Sequence, residues 1–305
     1  MKIYVPDYYN DFKCIASECK HNCCIGWEID IDPDTMKKYE NIGDTLLKHI
    51  NTSSETPCFI LGKNERCPFL NSRNLCDIII NHGEDSLCQI CSDHPRFINI
   101  FDTRTEKGLG LCCEAASKLI LEKKSKTEII VSEDDKEPET EEEALFFELR
   151  KNILDTAQNR EIPFKERLEK IISDYGLTAQ TPYPSELSDF FLKLDRLDEA
   201  WTDILEDLPT LDPNTDYFAE VGNDILLEQL FVYFIFRHLS EGLYDGFIKE
   251  RISFAVTGVR MISAICSLHK HKYKKFDRDT FCEYARMYSS EIEYSEENTD
   301  AVMFL

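Results

Sequence analysis

Eleven of the thirteen cysteines in this 305-residue chain lie between Cys14 and Cys113, and they are grouped. Cys14, Cys19, Cys23 and Cys24 share one run that ends in Gly26-Trp27. Cys58, Cys67, Cys76, Cys88 and Cys91 follow, the last two within Cys88-Gln89-Ile90-Cys91-Ser92-Asp93-His94-Pro95-Arg96. Cys112-Cys113-Glu114-Ala115-Ala116 closes the stretch, and only Cys266 and Cys282 lie beyond it. Thiols at this density imply a disulfide framework, a structural zinc site or an iron–sulfur site. The start, Met1-Lys2-Ile3-Tyr4-Val5-Pro6-Asp7, has no hydrophobic leader pattern, so a cytoplasmic location with reduced thiols is expected. Together with the odd cysteine count, that favours metal over disulfides.

Spacing narrows the ligands only in part. Cys88-x2-Cys91 has the separation of a zinc-ligand pair, whereas Cys14-x4-Cys19 and Cys19-x3-Cys23 fit loosely. In the vicinal pairs Cys23-Cys24 and Cys112-Cys113 the side chains diverge, so one member of each is expected to face a given metal. His21 and His94 fall inside the stretch and could ligate; each is read first as a surface or hydrogen-bonded group. Arg96 is placed either to pair with a substrate or cofactor carboxylate or to fix its own loop through a salt bridge. Cys58, Cys266 and Cys282 read as buried thiols, since free cysteine packs as a small hydrophobe. A radical-type C-x3-C-x2-C motif would need a cysteine where Gly26 stands. Gly108-Leu109-Gly110 has no further glycine to complete a dinucleotide fingerprint, and no phosphate-binding P-loop is found.

The elements that must hold these residues are mostly helical. Residues 1–30 read as irregular, Trp27–Asp32 as a short extended segment, and Asp32-Pro33-Asp34 as the start of a helix reaching about Ile50. Loops or short hairpins carry Cys58, Cys67 and Cys76; short helices are expected over 83–93 and from Cys113 to about Lys124. Ser132 to Glu143 is a dense acidic run, read as an exposed linker entering a helix with an acidic first turn. Beyond it, apolar residues recur at helical spacing from Leu145 to Ala157 and from Phe164 to Gly176. Further helices are expected from Pro184 to Leu205, Gly246 to His269 and Asp279 to Ile292, and Tyr217 to Leu239, apolar nearly all round, is expected at the centre of a bundle. The Ile225–Leu239 run is the most apolar; it contains Glu228 and Gln229 and falls short of the about 20 apolar residues a membrane helix needs. The expected fold is mainly α. A Cys-rich metal-binding region with short strands and loops (1–125) passes through an acidic linker (126–143) into an all-α helical domain (144–305).

A formal net charge of −23 disfavours nucleic acid and suits a lysine-rich partner. Apolar and charged residues at 42% and 30% are in the range of a globular protein, and no membrane association is expected.

Taken in order, Phe12-x-Cys14, Cys19, Cys23-Cys24-x-Gly26-Trp27, Cys67-Pro68-Phe69-Leu70, Leu75-Cys76, Cys91-x-x-His94-Pro95-Arg96 and Cys112-x-Glu114-Ala115-Ala116 resemble the flagellin lysine-N-methylase family. That family sits within the wider CxxCxxCC group of zinc- or iron-chelating proteins. The likeness is specific over about residues 4–121 and looser beyond. The first cluster departs from the group's name, reading C-x4-C-x3-C-C, and Cys113 stands where proline is expected. The resemblance implies methyl transfer from S-adenosylmethionine to lysine side chains of flagellin by a protein carrying a [4Fe–4S] cluster. Matched residue by residue, it implies Cys14, Cys19, Cys23, Cys24, Cys67, Cys76, Cys91 and Cys112 as ligand candidates, twice the four thiolates such a cluster needs. Lysine must lose a proton before it can attack a sulfonium methyl group, and its ordinary pKa is about 10.4. No base can be singled out among 58 acidic residues. Two other readings stay open: methylation of a different peptide, and a non-catalytic zinc-binding module.

Overall fold

The computed structural model describes residues 2–133 and 140–305, so the middle of the expected acidic linker lies outside the described residues. The chain divides into two compact units, Lys13–Phe97 and Met1–Phe12 with Ile98–Leu305. This differs from a division near residue 125, and strand pairing is the reason. Lys2–Pro6 pairs in parallel with Arg104–Leu109 and antiparallel with Ile129–Glu133. The N-terminus and residues 98–133 therefore belong with the helices that follow. Arg96–Ile100, whose later residues lie in this unit, completes a four-stranded sheet.

The sequence pattern marks Lys2–Pro6 as irregular chain and Ile129–Glu133 as linker and gives no strand signal at Arg104–Leu109, whose inward positions do not look apolar. In Arg104–Leu109 alternate residues are buried, and two of them are Arg104 and Glu106. Glu106 is fully buried and takes hydrogen bonds of 2.7 and 2.6 Å from Arg150, with Arg104 2.8 Å away. A strand that buries charge only because a helix residue neutralises it has no period-2 hydrophobic signature.

Helices dominate the larger unit, as expected, although several run in shorter pieces. Glu141–Ala157 starts on Thr140, whose side chain accepts from the Glu143 N–H at 3.2 Å, with three glutamates in the first turn. Phe164–Asp174 is followed by Gly176 at φ +61, a left-handed stop. The expected Pro184–Leu205 helix is two, Pro184–Phe191 and Glu199–Asp207. Buried Glu291 accepts the N–H groups of Leu197 and Asp198, both at 2.9 Å, at the start of the second. The expected Tyr217–Leu239 helix breaks at Gly222 (φ +62) and restarts on Asn223, whose side chain caps Asp224–His238.

Asp224–His238 is buried on nearly every side, which its all-round apolar sequence demands. Against it packs Ile248–Tyr273, long and apolar enough to cross a membrane by length and composition, with 89% of that window buried within the protein. Gly258 allows the close approach: a Cβ there would stand 2.8 Å from the Phe234 ring. Arg278–Tyr288 passes into a π-helical turn, Ser289–Glu293, and Glu296–Met303 ends the chain as a short helix capped by Ser295.

The smaller unit has little regular structure. Pro33–Ile42 is capped by Asp32 and ends at Gly43 (φ +97), which cuts the expected 33–50 helix short. Ile50–Asn51 pairs with Cys58–Phe59, and Asp77–His82 and Gln89–Asp93 are one- to two-turn helices. Its core is formed by Ile29, Ile31, Tyr39, Phe59, Phe69 and their neighbours, and cysteines are part of it.

Candidate functional site

The smaller unit gathers some of its thiols and not others. Cys67 and Cys88 are buried in its core, and Cys24, Cys76 and Cys91 pack against that core. Loop chemistry brings them there. Asn22 Oδ1 accepts the Cys24 N–H at 2.9 Å, and Gly26 at φ +87 turns the chain so that its N–H donates to the Glu65 carbonyl. The Cys67 N–H then reaches the Cys24 carbonyl at 2.9 Å. Cys76 is delivered by a turn around Asn71, whose side chain accepts from Arg73 and Leu75 and donates to Asp77 at 2.7 Å. Arg66 clips the same turn through the carbonyls of Leu70 and Asn71. Asp32 is shared between two helix starts, accepting the Thr35 N–H at 2.9 Å and the Gln89 N–H at 2.8 Å, and so anchors the Cys88–Cys91 segment.

The electrostatics register this crowding. Cys88 and Cys91 share a 3.5 Å hydrogen bond that holds Cys88 below the usual thiol pKa and pushes Cys91 up. Burial, opposed by the Phe69 N–H and helped by negative charge on Cys76 and Cys88, raises Cys67 to about 11. Cys24 is pushed up by its bond with Cys23, by burial and by charge on Cys67 and Cys76, while Cys23 falls to about 7. Five thiols that feel one another in this way are a donor set suited to a soft or borderline metal. As placed, no three Cys, His, Asp or Glu side chains among the described residues converge at metal-binding geometry.

The remaining candidates stand apart from that core. Cys14 and Cys23 are exposed and Cys19 is half-buried; Cys14 accepts from the Ala16 N–H, and Cys19 donates to the His21 carbonyl at 3.3 Å. Arg96 is exposed and donates to the Ser92 carbonyl at 3.3 Å. His94 meets Trp27 edge-on at 5.7 Å and precedes a cis proline. Cys58, Cys266 and Cys282 are buried.

Cys112 belongs to the larger unit, where its thiol donates to Tyr294 Oη at 2.9 Å. Tyr294 lies at the edge of a buried polar nest. Glu293, its side chain fully buried, accepts from Tyr233 Oη at 3.0 Å and from His238 Nε2 at 2.5 Å, with Arg237 Nε 3.4 Å away. Arg237 donates to Tyr233 Oη at 2.8 Å, the Leu111 N–H does so at 3.2 Å, and the guanidinium lies 5.1 Å from the Tyr294 ring centre. Burial opposes charge on Glu293, but Arg237 and His238 outweigh it and hold the carboxyl below its usual pKa. His238 is lowered, because burial outweighs the pull of Glu293. The residues come from three separate stretches and share no motif. The one sequence signal is Arg237-His238 closing the most apolar helix of the chain.

Residues 109–304 match the family described as the FliB lysine N-methylase C-terminal domain. The chain belongs to that family. Among curated proteins it is similar to the lysine-N-methylases of Salmonella typhimurium (strain LT2) and Salmonella choleraesuis. Each is 29% identical over 129 residues, covering 38% of this chain and 31% of the relative. It is also similar to the flagellar biosynthetic protein FliU of Salmonella muenchen, 28% identical over 129 residues, covering 38% of this chain and 75% of that protein. The match thus spans about a third of the two named methylases. No solved structure matches the chain.

Proposed function

We propose that this protein transfers methyl groups to lysine side chains of a protein substrate, with S-adenosylmethionine as donor and flagellin as acceptor. The observation that carries the reading is the family match over residues 109–304, which contains the whole Cys112–Tyr233–Arg237–His238–Glu293–Tyr294 nest. The relatives' names, lysine-N-methylase and flagellar biosynthetic protein, supply the substrate class. The acidic surface expected of a chain with net charge −23 suits a lysine-bearing partner in the same location.

The reading includes a metal group, a [4Fe–4S] cluster, with zinc as the other metal the thiols suit. Cys24, Cys67, Cys76 and Cys91, all implied by the resemblance, would hold it, together with Cys88 from the same core. Such a group would tie together a unit whose apolar core is small.

Metal and sulfide analysis of protein purified without oxygen, followed by incubation with isotopically labelled S-adenosylmethionine and flagellin, tests both parts. About four irons and four sulfides, expected of a thiolate-held [4Fe–4S] site, with label on flagellin lysines support the full reading. Zinc without colour and no transfer would leave a structural metal module. Label on other lysine-bearing proteins but not on flagellin would keep the chemistry and replace the substrate.

A further inference from the structure

Lysine methylation needs a proton acceptor, because a protonated amine has no lone pair with which to attack a methyl sulfonium. The buried nest of the larger unit contains a group arranged for that task. The His238 ring is held between Phe254, with ring centres 4.6 Å apart, and Phe234 at 6.2 Å. Its Nε2 faces the Glu293 carboxylate at 2.5 Å. A carboxylate only accepts, so Nε2 carries the proton and Nδ1 is left as the basic nitrogen. Among the described residues nothing hydrogen-bonds Nδ1, and the side chain keeps 11% exposure. The surface edge of the same nest is formed by Tyr294, 42% exposed, with Arg237 beside its ring. A carboxylate that fixes one imidazole nitrogen and leaves the other open is the arrangement of an oriented general base.

The element carrying Glu293 strengthens this reading. Ser289–Glu293 is a π-helical turn, a rare geometry found frequently at functional sites. It aims Glu293 at the C-terminal turn of Asp224–His238, where Arg237 and His238 emerge together. A plain structural tie between the two helices would be complete with the Arg237–Glu293 pair and would not require an imidazole with an open nitrogen.

We propose that His238 is the proton acceptor for the methyl-accepting lysine amine and that Glu293 is its positioning residue; the assignment rests on the methylation reading above. The lysine ammonium gives its proton to His238 Nδ1. The amine lone pair then forms the N–C bond to the sulfonium methyl carbon, and the S–C pair returns to sulfur, leaving a neutral thioether. The imidazolium is stabilised against Glu293 until its proton passes to solvent. The charged and titratable groups around the ring are Glu293 on the π turn, Arg237 on its own helix, Glu241 in the next turn, and Arg251 on the long helix. Arg251 donates to the His238 carbonyl and is itself paired with Glu241 and Asp245. Burial keeps the imidazole neutral near pH 7, as a base requires.

The decisive comparison is the pH profile of methyl transfer by the full chain and by His238→Gln. Glutamine keeps an N–H for Glu293 but cannot take up a proton. His238→Gln should lose roughly 10²-fold or more in kcat near pH 7, the usual scale of general-base catalysis. Its residual rate should then rise about tenfold per pH unit toward lysine's own pKa of about 10.4, closing most of the gap. His269→Gln, remote from the nest and bonded to Tyr284, should leave the profile unchanged. On the wild-type protein, diethyl pyrocarbonate should modify His238 and abolish transfer, and a lysine-bearing acceptor should slow that modification.

A wild-type profile for His238→Gln, or a loss of the same size at every pH, overturns the assignment while leaving methylation intact. So does failure of the reagent to reach His238. Wild-type protein that transfers no methyl group to any lysine-bearing protein overturns the methylation reading, and this assignment falls with it.

Discussion

The two compact units solve the same problem, burying polar chemistry, in opposite ways. Lys13–Phe97 has short elements and a small core in which the buried thiols of Cys67 and Cys88 sit among isoleucine, leucine, tyrosine and phenylalanine side chains. Its order comes from loop hydrogen bonds: Asp32 shared between two helix starts, Asn71 and Arg66 around one turn, Gly26 at positive φ. The larger unit has a thick aromatic and aliphatic core and buries full charges in it. Glu106 is neutralised by Arg104 and Arg150, and Glu228 by Arg160 and Arg167. A small core needs an added cross-link, such as a metal, to be stable. A large one can hold buried ion pairs at a net cost, provided every partner is present.

The sharpest way to break this contrast is to remove a thiol from each unit. On the proposed metal reading, Cys67→Ala or Cys91→Ala should abolish metal binding and collapse soluble yield, whereas Cys266→Ala, buried in a helix of the larger unit, should do neither. Metal content and yield of the three purified variants check this. If all three keep full metal, the thiol core is not the ligand set. Chelation should likewise speed amide exchange in residues 13–97 and leave the Asp224–His238 helix protected.

The converse test strikes the larger unit. Glu228 accepts from Arg160 at 2.7 Å and from Arg167 at 2.6 Å with its own side chain fully buried. Glu228→Ala leaves two guanidinium groups facing a void and should cost about 3–5 kcal/mol, the usual effect of breaking a buried pair. Denaturant unfolding followed by tryptophan emission reads this directly, because Trp201 is buried in the same unit. Metal content should not change.

Gly258 gives a smaller effect of a different kind. In Ile248–Tyr273 an alanine would improve helix propensity by about 1 kcal/mol. Its Cβ, however, would lie 2.8 Å from Phe234 Cε2 and 3.3 Å from Tyr288 Oη. Overpacking of that kind costs about 1–3 kcal/mol, so Gly258→Ala should be destabilising on balance. A raised melting temperature would show that the Asp224–His238 and Ile248–Tyr273 helices are less tightly docked than the geometry implies.

What the sequence made legible follows the same division. The mainly helical character was readable because apolar residues repeat at 3–4 spacing, and the buried Asp224–His238 segment because its sequence is apolar on nearly every side. The breaks within helices were harder to read: Gly222-Asn223 and Asp198 stop and restart helices with caps that periodicity averages over. The four-stranded sheet was missed because Arg104 and Glu106 occupy its inward positions. In the cysteine region, motif order pointed to eight thiols, of which Cys24, Cys67, Cys76 and Cys91 lie in or against the core of the smaller unit and Cys14, Cys19, Cys23 and Cys112 do not. Cys88 was visible only as a spacing partner of Cys91, and the structure buries it fully in the core against which Cys91 packs. The His238–Glu293 pair was not legible at all, since 55 residues separate the partners and neither lies in a motif.

The smallest expected effect concerns how the smaller unit is held together when its thiols are left alone. Asp32 accepts the backbone N–H of Thr35, three residues on, and that of Gln89, 57 residues on, and its pKa falls to about 2, because these bonds outweigh the cost of partial burial. The unfolded carboxyl titrates near 3.9. A pKa depressed in the folded state contributes stability that is fully present above about pH 4 and is lost as the pH falls towards 2. Asp32 is only half-buried, so screening reduces the contribution to about 1 kcal/mol, in line with a helix cap. Asp32→Ala should therefore speed exchange of the Thr35 and Gln89 amides at pH 6 and remove much of the difference in their protection between pH 5 and pH 2.5. If wild-type protection of these two amides is already flat across that range, the carboxylate is not what joins the first helix to the Cys88–Cys91 segment, and the thiols themselves must carry that link.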